Sequence, residues 1–453
     1  MNKLIEKYNV PAPRYTSYPT VPMWDTTPVA PGQWLGIAKR IFEESNADKG
    51  ISLYIHLPYC ESLCTYCGCN TRITKNHKVE TTYIESVLKE WQTYVAAWSE
   101  RPIIRELHLG GGTPTFFSPQ NLHKLIDGIL RHADVHPEHE FGFEGHPNNT
   151  TREHLKTLFD LGFRRVSYGI QDLDLNVQQA INRVQPLHNV ERVTNQAREI
   201  GYTSVNFDLV YGLPFQTAES VSNTIDSIAT LMPERIAFYS YAHVPWIRPG
   251  QRGYAEADLP DSDTKRQLYE IGKAKLKALG YHDIGMDHFA LSHDELFVAA
   301  EAGKLHRNFM GYTTSQTDLL IGLGASAISD AKYGYIQNTK VVEQYRESIE
   351  EHGLAILKGH VMTHEDLIIK KYIIDLLCRG EIHFKSELLN IIDVEVIDHL
   401  ATMHTEGLVE MNKAYVKVTT LGKAFIRNIA MLLDKRMHEK HQGVETPVFS
   451  KAI

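Results

Sequence analysis

The chain has 453 residues, of which 43% are hydrophobic and 23% are charged, a balance typical of globular rather than disordered or fibrous proteins. Its formal net charge of −8 excludes an overall basic surface for nucleic acid or for an anionic membrane. The length predicts one large domain and a smaller one. We expect an N-terminal arm over 1–35, a main domain with the functional site over 36–359, and a helical C-terminal domain over 360–453.

Neither end of the chain nor its interior carries a membrane signal. Met1–Tyr8 lacks the apolar core of a signal peptide, and the apolar run from Leu319 to Ser329 is too short to cross a bilayer. We therefore expect a soluble, cytoplasmic protein without a membrane span.

Between residues 51 and 241, runs of β-branched and aromatic residues alternate with segments of helical periodicity. The predicted strands are Ile51–Leu57, Ile103–Leu109, Glu140–Glu144, Arg165–Ile170, Ser204–Val210 and Arg235–Tyr241. The predicted helices are Thr82–Trp98, Pro119–His132, Arg152–Leu161, Asn189–Ile200 and Thr217–Leu231. This alternation predicts an α/β fold, a partial (β/α)6 barrel of the TIM type, with a doubly wound open sheet as the alternative.

The pattern changes after about residue 360. Two helices, a hairpin and a further helix are typical of a winged-helix arrangement, and the segments are Glu365–Cys378, Val394–Thr405, Leu408–Thr419 and Leu421–Leu433. Basic and acidic residues are almost equal in number in this region, so no face is basic enough to hold nucleic acid. We expect a structural cap and no nucleic-acid partner, rather than a regulatory DNA-binding module.

Four of the five cysteines lie on one loop after the first predicted strand, at Cys60, Cys64, Cys67 and Cys69. The first three have the spacing C-x3-C-x2-C, and three thiolates can hold three irons of a cubane while the fourth iron stays open to a substrate or cofactor. Structural zinc bound by all four cysteines is the alternative, but zinc sites usually join two separated ligand pairs. The spacing therefore favours an iron–sulfur cluster.

Further candidate residues follow the later strands. Gly111, Gly112 and Thr113 end the second strand, and glycines there let the backbone approach a ligand closely. Polar side chains such as Glu144 and Asp208 stand at the C-terminal ends of other strands, the face where barrel enzymes have their active sites. Each alone is more often a capping or loop residue, but together they indicate a ring around one site.

This combination resembles the radical S-adenosylmethionine (SAM) superfamily. The resemblance implies that Cys60, Cys64 and Cys67 ligate a [4Fe–4S] cluster, that the methionine part of SAM chelates the fourth iron, and that Tyr66 lies by the adenine. It also implies SAM contacts from Tyr54, Gly111, Gly112, Thr113, Glu144, Gln171, Arg183, Asp208, Ala242 and Ile328.

The fourth cysteine narrows the resemblance to the oxygen-independent coproporphyrinogen III oxidases. Cys69 completes their C-x3-C-x2-C-x-C pattern, and similar segments run from the arm into the later half of the chain. One departure is His146, where that family more commonly has an aspartate before the proline. The matching segments include 8–19, 167–172, 182–183, 207–214, 241–245, 284–290, 307–314 and 322–329.

The family resemblance implies a reaction. A 5′-deoxyadenosyl radical would abstract a hydrogen atom from the β-carbon of a substrate propionate, and loss of carbon dioxide and one electron would leave a vinyl group. Repeating this on a second propionate converts coproporphyrinogen III to protoporphyrinogen IX for porphyrin and heme biosynthesis. Tyr54, His56 and Cys69 are the expected catalytic residues, and Arg14 and Arg248 are candidates for holding substrate carboxylates.

The resemblance leaves the electron donor and acceptor unidentified, and implies a monomer and a second SAM molecule. A different class of function comes from closely similar proteins, the heme-binding chaperones. That branch typically has an aromatic residue in place of Cys69 and a later His-Asn-x-x-Tyr-Trp segment, whereas the last tryptophan here is Trp246. The sequence therefore favours the oxidase.

Overall fold

The structure is a computed structural model and describes residues 2–25, 27–440 and 449. The other residues of the predicted arm and C-terminal domain lie outside the described part. The helices are Asn2–Tyr8 (α1), Pro31–Lys49 (α2), Val79–Ala97 (α3), Pro119–Leu130 (α4), Arg152–Asp160 (α5), Leu175–Ala180 (α6), Leu187–Ile200 (α7), Ala218–Ala229 (α8), Ser262–Ala278 (α9), Glu295–Glu301 (α10), Val342–His352 (α11), His364–Arg379 (α12), Ser386–Leu389 (α13), Val394–Thr405 (α14), Ile426–Met431 (α15) and Lys435–Lys440 (α16).

The strands lie between those helices. They are Ile51–Leu57 (β1), Tyr59–Cys60 (β2), Arg72–Ile73 (β3), Ile103–Gly111 (β4), Asp134–Gly145 (β5), Arg165–Gln171 (β6), Ser204–Tyr211 (β7), Arg235–Ser240 (β8), His282–Gly285 (β9), His288–Ala290 (β10), His306–Asn308 (β11), Gly311–Thr313 (β12), Leu320–Leu323 (β13), Ile328–Asp330 (β14), Gly334–Asn338 (β15), Ile356–Val361 (β16), Glu381–His383 (β17), Val409–Met411 (β18) and Tyr415–Val418 (β19).

One 12-stranded sheet carries the main domain, in the order β16-β15-β14-β13-β1-β4-β5-β6-β7-β8-β10-β9. Its six central strands from β1 to β8 are parallel and follow one another in sequence order. A doubly wound sheet would reverse its strand order at a switch point, which this sheet does not do. The predicted α/β alternation and its six strands are confirmed.

Side-chain contacts across the sheet show that it curves like part of a barrel. Arg235 on β8 lies 3.5 Å from Glu140 on β5, although two strands separate them. Arg165 on β6 contacts the same carboxylate at 2.8 Å. Burial alone would raise the pKa of Glu140, but Arg165 and Arg235 lower it to about 2. These buried ion pairs form the floor of the barrel.

Local sequence explains where the helices begin and end. Ser118 caps α4, and a proline at its first position needs no hydrogen-bond partner for its nitrogen. Thr151 and Thr217 form capping boxes at the starts of α5 and α8. Gly201 ends α7 in the left-handed conformation that glycine adopts without strain. Each βα unit therefore carries its own stop and start signals.

The C-terminal region differs from the prediction in two ways. The predicted hairpin is present as β18 and β19, but β17 joins it in a three-stranded sheet. The single helix predicted over 421–433 is wrong, because the chain forms a 3-10 turn at Gly422–Phe425 before α15. Gly422 packs so closely on the Leu408 carbonyl that a Cβ there would collide with it, which fixes this turn.

The N-terminal arm shares a hydrophobic core with the C-terminal region. Ile5, Tyr15 and Tyr18 are buried in one cluster with residues of α12, α14 and α15. The Tyr15 hydroxyl donates to Asp434 Oδ2 at 3.0 Å, and Asn428 Nδ2 donates to the Tyr8 carbonyl at 2.8 Å. The two ends of the chain therefore fold against each other. No helix in the described part is long and apolar enough to span a membrane.

The buried Glu90 on α3 makes stability depend on pH. It accepts hydrogen bonds from Gly324, Asn338 and Tyr345, yet burial raises its pKa from 4.5 to about 7. The folded chain thus keeps this proton to a higher pH than the unfolded chain, so the free energy of unfolding falls as pH rises from about 4.5 to about 7, by about 3 kcal/mol at most. We expect Glu90→Gln to remove that part of the slope in urea titrations at several pH values; an unchanged slope would contradict this.

Candidate active site

The cysteine loop leaves the end of β1 and is tied to the segment after α6. The Thr65 amide donates to the Ile181 carbonyl at 2.9 Å, and its hydroxyl donates to the Ala180 carbonyl at 3.0 Å. Asn182 Nδ2 donates to the Leu63 carbonyl at 2.7 Å. A short parallel pairing of β2 with β3 closes the loop. The cysteines therefore sit on a loop held at both sides.

The glycine segment at the end of β4 packs directly under this loop. The Gly112 amide donates to the Leu57 carbonyl at 2.8 Å, and the Thr113 amide donates to the Tyr59 carbonyl at 3.0 Å. A Cβ at Gly112 would lie 2.6 Å from the Pro58 oxygen. Glycine is needed here for a backbone contact, and these two amides serve the protein itself. With these amides occupied, the segment can still offer its carbonyl and hydroxyl oxygens, which accept hydrogen bonds from the amine of a ligand.

A cavity of roughly 640 Å³ opens above these elements, within the range typical of small-molecule sites. It brings together most of the predicted site residues, although they come from six separate segments of the chain. Those in its wall are Cys60, Cys64, Tyr66, Cys67, Cys69, Gly111, Gly112, Thr113, Glu144, Gln171, Arg183 and Asp208.

Each cysteine of the predicted cluster has a different polar environment. Cys60 Sγ lies 3.3 Å from the Thr113 hydroxyl, and burial raises its pKa to about 11. A hydrogen bond from Cys69 lowers the pKa of Cys67 to about 6 and raises that of Cys69.

Arg183 is the cation that faces the cysteines. Its Nη1 lies 3.6 Å from Cys64 Sγ, and its Nη2 donates to the Gly169 carbonyl at 2.7 Å. Its Nε is buried without a hydrogen-bond partner. A buried unpaired donor is costly, so this arrangement fits an anionic group such as the carboxylate of a bound SAM. The donor set therefore fits the cofactor that the sequence predicts.

Acidic and amide side chains form the opposite wall. Asp208 accepts from Ser167 and Asn206 at 2.9 Å each, and burial followed by the charge of Glu144 raises its pKa to about 6. Glu144 Oε2 accepts from the Gly111 amide at 3.3 Å. Gln171 has φ of 67°, a strained value for a non-glycine residue, and such strain is concentrated at functional sites.

Four predicted residues are not in the cavity wall. Tyr54 and His56 lie beneath the glycine segment, with the Tyr54 hydroxyl 3.1 Å from His56 Nδ1 and His56 Nε2 2.8 Å from the Asn70 carbonyl. Burial lowers the pKa of His56, so the imidazole is neutral. Ala242 follows β8, and Ile328 packs beside the cluster of Trp24, Tyr335 and Met362.

One positioning residue was missed by sequence reasoning. Gln251 is only 1% exposed and lies in a 3-10 turn. Its Nε2 donates to the carbonyls of Tyr66 at 3.1 Å and Ala242 at 3.2 Å, and its Oε1 accepts from the Val244 amide at 2.6 Å. It therefore joins the cysteine loop to the loop after β8. A lone glutamine in a loop gives no periodic or motif signal that could have identified it.

The two predicted substrate arginines have different surroundings. Arg14 reaches the barrel interior but is already paired, with its Nη1 2.6 Å from Asp287 Oδ2. Its Nη2 donates to the Ser240 carbonyl at 3.2 Å. Arg248 is partly exposed on the loop before the Gln251 turn. The pairing with Asp287 occupies part of the Arg14 guanidinium, and the roles of Arg14 and Arg248 toward a substrate carboxylate stay predictions.

Comparisons with known proteins agree with this geometry. The Radical SAM superfamily pattern matches residues 54–228. A Pseudomonas aeruginosa protein described as oxygen-independent coproporphyrinogen III oxidase is 36% identical and covers 95% of both chains. An Escherichia coli protein of the same description is 36% identical over 96% of this chain and 95% of its own. A solved Escherichia coli structure, coproporphyrinogen III oxidase (HemN), superposes with a TM-score of 0.89 at 34% identity, covering 96% of this chain and 98% of that one.

The close contact at Gly112 predicts a specific loss. A methyl group in Gly112→Ala would press on the Pro58 carbonyl and cost about 1–3 kcal/mol of local packing. We expect the iron content after cluster reconstitution to fall several-fold while the far-ultraviolet circular dichroism stays unchanged. Gly36→Ala, where nothing lies within 4 Å of the added Cβ, is the control and should retain full iron loading.

Removing the Gln251 bridge should loosen both loops. Gln251→Leu loses three hydrogen bonds of a buried side chain, and we expect the KM for SAM to rise about 10-fold. Gln251→Glu keeps the acceptor for Val244 but loses both donated bonds, so an intermediate KM is expected. An unchanged KM in both variants would show that the bridge does not position the cofactor site.

Proposed function

We propose, from the premise that this chain belongs to the oxygen-independent coproporphyrinogen III oxidase family of radical SAM proteins, that it converts coproporphyrinogen III to protoporphyrinogen IX. Two propionates become vinyl groups, each losing one carbon dioxide, one hydrogen atom and one electron. The observation that carries the proposal is the convergence of Cys60, Cys64 and Cys67 with the glycine segment, Arg183 and an acidic wall on one cavity.

The three cysteines hold the [4Fe–4S] cluster, and the cavity holds SAM against it. Bound together, the two groups supply the radical that removes a hydrogen atom from the substrate. Arg183, with its free Nε, meets the SAM carboxylate, and Glu144 and Asp208 accept hydrogen bonds from its amine and hydroxyl groups. Gly111, Gly112, Thr113 and Gln171 shape the same wall, and Tyr66 in that wall lies by the adenine. Ala242, whose carbonyl accepts from Gln251, and Ile328 lie outside the wall and are assigned to the SAM site by the family resemblance.

Tyr54, His56 and Cys69 serve the reaction from beside the cluster. Neutral His56 holds the Asn70 carbonyl and so orients the end of the cysteine loop, while Tyr54 fixes the ring of His56. Cys69 is exposed next to Cys67 and donates to its sulfur. A donor beside a cluster thiolate tunes the reduction potential of the cluster.

The organisation of the whole chain belongs to the same proposal. An arm over 1–35, a radical SAM barrel over 36–359 and a C-terminal cap over 360–453 act in one cytoplasmic monomer. An electron donor reaches the cluster, an acceptor removes the electrons left by decarboxylation, and a second SAM molecule supplies the second turnover. The heme-chaperone alternative is not favoured, since the relatives described above are oxidases over nearly their full length.

The decisive experiment is anaerobic turnover. Reconstituted protein is supplied with a one-electron reductant, SAM and coproporphyrinogen III, and mass spectrometry follows 5′-deoxyadenosine and the vinyl product. We expect both products from the wild type and a loss of at least about 1,000-fold in Cys64→Ala, because a cluster without one ligand cannot activate SAM. Ser227→Ala is the control, since that hydroxyl lies on α8 and bonds the Asn223 carbonyl of the same helix, and this variant should remain active.

Two outcomes would overturn the proposal. If 5′-deoxyadenosine forms without decarboxylated porphyrinogen, the radical chemistry stands but the substrate is wrong. If neither product forms and the chain binds heme tightly, a heme-chaperone function replaces the proposed oxidase function.

A further inference from the structure

Below the cavity, the barrel interior is lined by polar side chains instead of the branched apolar layers usual in such barrels. Tyr239 on β8 is in the cavity wall, and its hydroxyl lies 3.5 Å from His288 Nε2 on β10. The His288 ring packs edge-on against Tyr312 at 5.3 Å, and the guanidinium of Arg307 lies 4.7 Å from the Tyr312 ring centre. We call Tyr239, His288, Arg307 and Tyr312 the Arg307 group.

The Arg307 group offers hydrogen-bond donors that no described residue accepts. Arg307 is only 6% exposed, and its Nε and Nη1 are both buried without a partner, as is His288 Nδ1. Only its Nη2 is bonded, to the Arg14 carbonyl at 3.2 Å. A buried guanidinium without a counter-charge is costly, which points to an anionic ligand.

The nearby acids do not supply that counter-charge. Asp287 pairs with Arg14 at 2.6 Å, and Asp294 is held by Arg235 at 2.7 Å. Burial, and then the charge of Arg307, lowers the pKa of His288 to about 3, so its ring is neutral. Tyr239 and His288 are only partly buried although they lie inside the barrel, so open space adjoins them. Tyr239 is the member of the Arg307 group that lines the cavity, so an anionic group in the cavity would approach Arg307 past that side chain.

We propose that the Arg307 group binds a carboxylate of the substrate that does not react, a propionate retained in the product. This inference rests on the proposed function. The reacting propionates must lie near the cofactor at the C-terminal ends of the strands, and a retained propionate can stay in place through both decarboxylations. The unpartnered Nε and Nη1 point to different edges of the guanidinium, and each can donate a charge-assisted hydrogen bond to a carboxylate oxygen. Tyr239 stands between this site and the cavity.

The test crosses two substrates with three forms of the enzyme. The substrates are coproporphyrinogen III and an analogue whose two retained propionates are methyl esters. We expect the wild type to show kcat/KM about 10- to 100-fold lower for the ester, the range for a charge-assisted hydrogen bond. Arg307→Met should lose a similar factor with the natural substrate and then discriminate less than about 3-fold. Arg307→Lys should lie between them.

Binding without turnover gives a second readout. Fluorescence titration with coproporphyrin III, the stable oxidised form, should show Kd raised about 10-fold or more in Arg307→Met. Arg152→Met, which removes an exposed arginine paired with Glu199, is the control and should bind like the wild type. Thermal unfolding curves show whether each variant folds. If Arg307→Met does not fold, the kcat/KM comparison and the Kd titration are made with Arg307→Lys.

The outcomes separate this inference from the proposed function. If the wild type fails to decarboxylate coproporphyrinogen III, the proposed function fails and this inference with it. If the wild type is active but Arg307→Met keeps the full ester discrimination and an unchanged Kd, only the Arg307 inference is overturned. A loss of kcat with unchanged discrimination likewise overturns it, because the residue would then be structural.

Discussion

The site depends on the backbone contact between the cysteine loop and the glycine end of β4. The Gly112 and Thr113 amides bind carbonyls on either side of Pro58, at a distance that leaves no room for a side chain. That contact fixes the start of the loop, while Thr65 fixes its middle. Backbone contacts thereby hold the loop that carries the thiols, and Cys64 faces Arg183. A loop fixed in this way loses less conformational entropy when it binds a ligand.

Charged side chains lie in three layers along the barrel axis, and each layer has a different role. At the floor, Glu140 and Asp294 pair with Arg165 and Arg235, and these buried ion pairs join β5, β6, β8 and the start of α10. At the mouth, Asp208 and its neighbours face open space. Between these layers Arg307 has donors to spare. Polarity therefore extends without an apolar break from the cofactor site to the floor.

Sequence reasoning predicted the central fold well because its signals are local. The six parallel strands β1, β4, β5, β6, β7 and β8 each contain a buried run, and the cysteine spacing lies within one loop. It missed β9 to β16, which are mostly short antiparallel strands held by pairing partners distant in sequence. The failed helix over 421–433 has the same origin, since Gly422 is fixed by contact with Leu408 and not by its neighbours.

The candidate site shows the same limit of sequence-based prediction, since contacts between distant segments are not visible in the sequence. Cys60, Cys64 and Cys67 were identified by spacing, whereas Gln251 acts only through carbonyls of Tyr66 and Ala242 that are distant in sequence. Sequence also could not tell a paired arginine from an unpaired one. In the sequence, Arg14 and Arg307 are equally plausible ligands for a carboxylate. The structure distinguishes them, because Asp287 pairs with Arg14 whereas Nε and Nη1 of Arg307 have no hydrogen-bond partner among the described residues.

The position of Asp287 also explains why the arm folds with the C-terminal region. The shared core holds Tyr15 and Tyr18, and Arg427 donates to the carbonyls of Ala12 and Pro13, so the arm carries Arg14 into the barrel interior. There Arg14 pairs with Asp287, the residue before His288 of the Arg307 group, at 2.6 Å. The packing of the two chain ends therefore leaves the Arg307 guanidinium without a paired carboxylate in the described part of the chain. A carboxylate of the proposed substrate can supply that counter-charge.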